Sequence, residues 1–218
     1  MKKIFILPFI AMVFFSCQKE MSVDTINNSG GNNNNGNDPV PLEGNWSFLN
    51  LYMNFSSSAS TRENGVEVKF VTACETTSIN NKGDMSFASD KFTATKLGYS
   101  IDDTVYVTTY IMGIPQPEVE KIEFGGDVPP YSASGKYQKI GNDSLYFPDG
   151  SAFQGLEVDG LPITSSAASG AKYVIKSDTL LVYQGVKISK DTIMDIGGQR
   201  IKFRIDQNAT TIGSFKKK

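Results

Sequence analysis

Histidine is absent from all 218 residues. That excludes His-based catalytic triads, imidazole acid–base chemistry near neutral pH and the commonest protein metal ligand. Cysteine is almost absent: Cys17 and Cys74 stand alone, with no C-x-x-C pair from which a zinc site could be built. Positive charge is in short supply as well, with 21 Lys and Arg against 23 Asp and Glu. Met1–Ser16 holds two of those lysines and no acid, so the chain beyond it has 19 basic residues and a net charge of −4. With no basic patch interleaved with aromatics, a nucleic-acid partner is excluded. Past the first 16 residues no window carries a sustained 3.6-residue apolar period, so helices are not expected.

What is present begins with a leader. Met1-Lys2-Lys3 is a short basic start, and Ile4–Phe15 is an apolar stretch too short to span a bilayer, which is the shape of a signal peptide. It ends Phe14-Phe15-Ser16-Cys17, and this small residue directly before a cysteine resembles the bacterial lipobox. The resemblance implies that residues 1–16 are removed, that Cys17 is diacylated and that its new amine is acylated. Two or more acyl chains give stable anchoring where one gives marginal binding. The expectation is therefore a lipoprotein of the outer membrane, held to the bilayer through Cys17 on its periplasmic or cell-surface face. Residues 17–41 follow as a tether. Its Asn/Gly-rich run over 27–38 has nothing apolar to bury, so the entropy of ordering goes unopposed. From Gln18 to Pro41 its reach is roughly 25–30 Å.

The domain at 42–218 opens on Leu42-Glu43-Gly44-Asn45-Trp46-Ser47-Phe48, which contains the only Trp. Gly44 leaves room for close approach at its missing Cβ. Trp46, two residues on, faces the same side of a strand and is large enough to plug one end of a small barrel. Gly44-Asn45-Trp46 resembles the G-x-W that opens the first strand of lipocalin-like families. That resemblance implies an all-β fold, an antiparallel up-and-down meander closing into a β-barrel of about 8–10 strands. It also implies an arginine from the last strand packed over the Trp. Of the three arginines, Arg62, Arg200 and Arg204, the last two lie in the final clear strand, and Arg204 is the first choice.

The remaining chain alternates. Trp46–Phe55 reads as a first strand whose phase slips near Leu49-Asn50, as a bulge would make it do. Ser56–Asn64 reads as a polar loop, Val66–Thr76 as a strand, and Asn80–Asp84 as a turn. Four times an Asp precedes Ser or Thr and then an aliphatic residue, at Asp103, Asp143, Asp178 and Asp191, which predicts tight turns between paired strands. Val105–Met112 and Arg200–Ile205 alternate as strands, and Lys216–Lys218 read as a solvated tail. Asp149–Gly170 alternates poorly yet carries Phe153, Leu156, Val158, Leu161 and Ile163. It reads equally as an apolar flap over a barrel mouth or as extra structure packed outside.

No catalytic residue, metal ligand or cofactor is assigned. Asp102-Asp103 and Glu118/Glu120 are the nearest carboxylate pairs, and both read as solvated surface rather than acid–base machinery. The acids at 102, 103, 143 and 149 lack calcium-loop spacing. Cys74 shares parity with Phe70 and reads as a small buried apolar group. The expected protein is a monomer that is not an enzyme and holds a small apolar or amphipathic ligand in its barrel. The alternative is a structural or interaction lipoprotein with a filled barrel. Replacing Cys17→Ala should abolish incorporation of labelled palmitate, and undiminished labelling would refute the anchor.

Overall fold

The computed structural model describes residues 40–150, 157–158, 161–162 and 168–218. Every regular element among them is a strand: β1 (Gly44–Glu63), β2 (Val66–Thr77), β3 (Ile79–Phe87), β4 (Lys91–Ile111), β5 (Ile114–Lys136), β6 (Gln138–Ile140), β7 (Ser144–Phe147), β8 (Glu157–Val158), β9 (Leu161–Pro162), β10 (Ser169–Lys176), β11 (Thr179–Ile196) and β12 (Gln199–Lys217). All pairings are antiparallel. β1 takes β12 on one edge, and β2 and β3 on the other. β4 pairs with β2 and β3 and then with β5. Beyond Tyr137 the β5 run becomes β6, which pairs with β7; the ladder continues through β10 and β11 to β12. It thereby returns to β1, giving a barrel-like meander, with β1, β2, β4 and β3 as a local ring of four.

The barrel-like end is a filled core. Trp46, Leu51, Met85, Phe92, Leu97, Tyr137, Leu145, Phe147, Leu180 and Phe215 are all essentially without solvent exposure. Burial of one such aliphatic or Phe side chain is worth about 1.5–3 kcal/mol against leaving it in water. The rings meet edge-on, Phe92 against Phe147 at 5.4 Å and Phe87 against Tyr137 at 5.4 Å between centroids, a geometry their quadrupoles favour.

Six strands run on past this core as a distal sheet in the order β5-β4-β2-β1-β12-β11. A 20-residue strand such as β1 spans roughly 65 Å if straight. Phe55 on β1 and Phe124 on β5 nevertheless touch at 5.6 Å, although β2 and β4 lie between them. At about 4.8 Å per strand the sheet must curl strongly to allow this. The inner side of the curl holds a second, smaller core of Ala59, Met194, Phe203 and Ile205, with Phe70 and Ile201 against it. The tips are two-residue hairpins, Asn64-Gly65, Met112-Gly113 and Gly197-Gly198, each with positive φ at both residues, the condition for the type I′ turn that matches strand twist.

Several expectations change. Ser56–Asn64 is strand rather than loop up to Glu63, because Ser56, Ser58 and Ser60 are paired on both edges of β1. The slip near Leu49 is a real register shift between Phe48 and Asn50. Asn80–Asp84 does not turn the chain. It is an irregular part of β3, with Asn80 at φ 55 and Gly83 at φ 95 and register shifts around Lys82. Of the four Asp-led turns, Asp143 and Asp178 sit at turns, whereas Asp103 and Asp191 lie within β4 and β11. Asp191 is held in the sheet by ion pairs to Lys202 and Arg204 on the adjacent strand. Most of the 149–170 segment lies outside the described residues.

One buried hydroxyl manages the break between β2 and β3. Ser78 Oγ accepts from the Leu51 amide at 2.7 Å and donates to Asn81 Oδ1 at 2.6 Å, while the Ser78 amide donates to the Leu51 carbonyl at 2.9 Å. Removing the hydroxyl leaves the buried Leu51 amide without a partner. Ser78→Ala should therefore cost about 2 kcal/mol of stability, read as a lower urea midpoint at unchanged slope. An unchanged midpoint would show that the break does not depend on it.

Candidate functional site

The best-defined constellation lies at the start of β1, in the barrel-like end. Trp46 is fully buried and its Nε1 donates to the Leu42 carbonyl at 2.8 Å. This bond satisfies the one polar group of the ring and folds the preceding residues back under it. The register of β1 and β12 sets Trp46 opposite Lys217. The Lys217 ammonium lies 4.3 Å from the ring centroid and donates to the Glu43 carbonyl at 2.7 Å and the Pro41 carbonyl at 3.2 Å. Lys218 completes the closure through its amide to the Asn45 carbonyl at 3.0 Å and its ammonium to Asp84 at 2.8 Å. Glu43 is paired with Lys139, and that hydrogen bond holds its carboxyl below the usual carboxylate range.

Gly44 belongs to the same clasp. It holds φ +124, and a Cβ there would come within 2.7 Å of Lys217 Nζ. The space it leaves therefore admits a lysine side chain rather than another backbone. Arg204 is elsewhere. It pairs across from Ser60 in the distal sheet and bonds Asp191 and Ser189, half exposed on the outer face. Arg200 lies beside the Gly197-Gly198 tip, opposite Asp195. The cation over Trp46 is thus Lys217, and the terminal lysines are part of the structure. The available signal was parity. Ile201, Phe203, Ile205, Gly213, Phe215 and Lys217 are all odd-numbered, and the odd-numbered Phe203, Ile205 and Phe215 are buried along β12.

This arrangement closes the first strand against the last. Asp102 is exposed on β4, and on β5 Glu118 is exposed and Glu120 half-buried. Cys74 is buried on β2, where burial, reinforced by the charge of Asp103, pushes its thiol up to about 11. A thiol so poorly ionised at neutral pH is a weak nucleophile and metal ligand. Among the described residues no three His, Cys, Asp or Glu side chains gather as a metal site. Cys17 lies outside the described residues.

A second region offers open polar surface. Near the distal tips Glu67, Lys69, Val71, Tyr110 and Gly113 line a cavity of about 420 Å³. The nearby side chains Val66, Ile111, Met112 and Ile114 are exposed. Met112 donates its amide to the Glu67 carbonyl at 2.9 Å, which fixes the β4–β5 tip beside the start of β2.

No family model matches the chain, and no curated relative matches its sequence.

The clasp separates two cations cleanly. Lys217→Met keeps the packed stem but removes the charge over Trp46 and its two carbonyl bonds, and should lower stability by about 2 kcal/mol. Arg204→Met, in an exposed network, should stay within about 0.5 kcal/mol of the parent. Urea unfolding followed by Trp46 fluorescence decides it, and equal effects would dismiss the clasp.

Proposed function

We propose that this chain is a lipid-anchored, non-catalytic recognition module of lipocalin-like ancestry. Its barrel acts as a solid base and its distal sheet as the working surface. The observation that carries this reading is the filled core at the tethered end. Trp46, Phe92, Phe147, Phe215 and their neighbours occupy the place where a carried apolar molecule would sit. Ligand pockets need a few hundred Å³ lined by side chains that leave room. Two further features support the reading. The chain enters beside Trp46 at the filled end, so a tether from Cys17 attaches there. The exposed apolar residues Val66, Ile111, Met112 and Ile114 lie at or next to the hairpin tips, at the other end of the long strands. Apolar side chains grouped on an exposed surface mark contact sites more often than chance placement does.

In this reading the acylated Cys17 holds the barrel within roughly 25–30 Å of an outer-membrane surface, and the distal sheet extends away from the bilayer. The test is a native mass spectrum of residues 40–218, made in a secreting host without detergent. A bare mass, unchanged after incubation with lipid extract, is expected. A discrete added mass that survives buffer exchange would instead make the protein a carrier of small molecules and reject the solid-base reading.

A further inference from the structure

We infer that the outer face of the distal sheet holds a binding site for a neutral oligosaccharide, centred on Tyr110. This inference rests on the reading of the distal sheet as the working surface. The cavity of about 420 Å³ beside Tyr110 falls within the size range of small-ligand sites. Tyr110 and Lys69 are direct cross-strand partners, and Glu67 and Val71 flank Lys69 on the same face of β2.

Across this face the charges behave in two ways. Along the row through Tyr110, Lys69, Ser60, Arg204 and Asp191, the β11–β12 side is internally neutralised. Asp191 is paired with Lys202 and Arg204, and Arg204 also with Asp206. The β2–β4 side is not. Among the described residues, the side chains of Glu67, Lys69 and Tyr110 make no ion pair or hydrogen bond with the protein. One acid, one ammonium and one phenol thus surround a cavity with their polar ends uncommitted.

The chemistry of the three groups selects the occupant. An anion would suit Lys69 and be repelled by Glu67, and a cation would meet the reverse. An apolar molecule would strip water from both charges and replace none of their hydrogen bonds, which is costly. An amino-acid zwitterion carries its two charges close together, whereas residues two apart on a strand are roughly 6.6 Å apart. A sugar ring meets all the requirements. Its hydroxyls accept from the ammonium and donate to the carboxylate, and its C–H face can lie on the Tyr110 ring. Tyr106, four residues along β4, is exposed with Lys121 5.7 Å from its ring centroid. It continues the aromatic platform by roughly 13 Å, a span that suits several linked sugars rather than one.

The test uses the acylated full chain in phospholipid nanodiscs and saturation-transfer NMR. The probes are maltohexaose, cellohexaose and mannohexaose, with phenylalanine as a zwitterionic control. The expected result is transfer to the ring protons of at least one hexasaccharide, weakened about tenfold by Tyr110→Ala. Lys69→Ala should weaken it as well, and Tyr146→Ala, at an exposed site on the barrel wall, should not. The inference is overturned by silence from all three sugars, by transfer that neither Tyr110→Ala nor Lys69→Ala reduces, or by equal transfer to phenylalanine. The two readings fail separately: a mass carried inside the barrel would end the solid-base reading without touching the sugar signal, and sugar silence leaves a bare barrel mass unaffected.

Discussion

The structure depends on the ladder between its first and last strands. β1 lies between β2 and β3 on one edge and β12 on the other, so the meander closes only when β12 docks. The locked end of that ladder is the Trp46 ring under the Lys217 ammonium. Here a buried aromatic, a cation partly withdrawn from water and three backbone carbonyls are satisfied together. Cation–π attraction is worth most where the cation is partly desolvated. Gly44 makes the approach possible by having no side chain to obstruct it.

From that closure the molecule divides in two. The barrel-like end is dense with fully buried rings and aliphatic groups, and interiors of this kind tolerate neither voids nor added volume. The distal sheet is different in character. Its inner side is gathered by a modest apolar cluster, while its outer side is polar and partly uncommitted. Two edges without a ladder partner among the described residues are protected unequally. β5 carries Pro115, Pro117, Pro129 and Pro130, which cannot donate to an incoming strand. β11 beyond Tyr183 has no ladder partner on its outer edge among the described residues, but bears Lys187, Lys190 and Asp191 there. Charges at such positions discourage edge-to-edge pairing.

The all-β fold and its antiparallel order were legible because period-two alternation is a local signal, and so is the Asp-led turn chemistry at Asp143 and Asp178. The bulge at Leu49 was legible for the same reason: a phase slip shows directly in side-chain parity. Strand length was not. Ser56–Ser60 looks like a loop because polar and small residues dominate it, and only its two paired neighbours make it a central strand. Asp103 and Asp191 look like turn formers, since the side-chain bonding that favours turns is local, while the pairing that overrides it comes from another strand. The partner of Trp46 was assigned to arginine by resemblance, and it is the register with the final residues that brings a lysine there. The sugar-binding candidate was invisible in sequence, because Lys69 and Tyr110 are 41 positions apart and become neighbours only through the β2–β4 ladder.

The pairing of residue 46 with residue 217 also sets the order of events during biogenesis. Loop closure over so long a separation is slow, and proteins rich in such contacts fold slowly. Until the last strand emerges, one edge of β1 has no partner, and it is among the longest strands of the protein. A chain synthesised from its N-terminus exposes that edge until β12 has been made. Incomplete chains therefore present an open β-template to one another, and the arrival of β12 determines when that hazard ends.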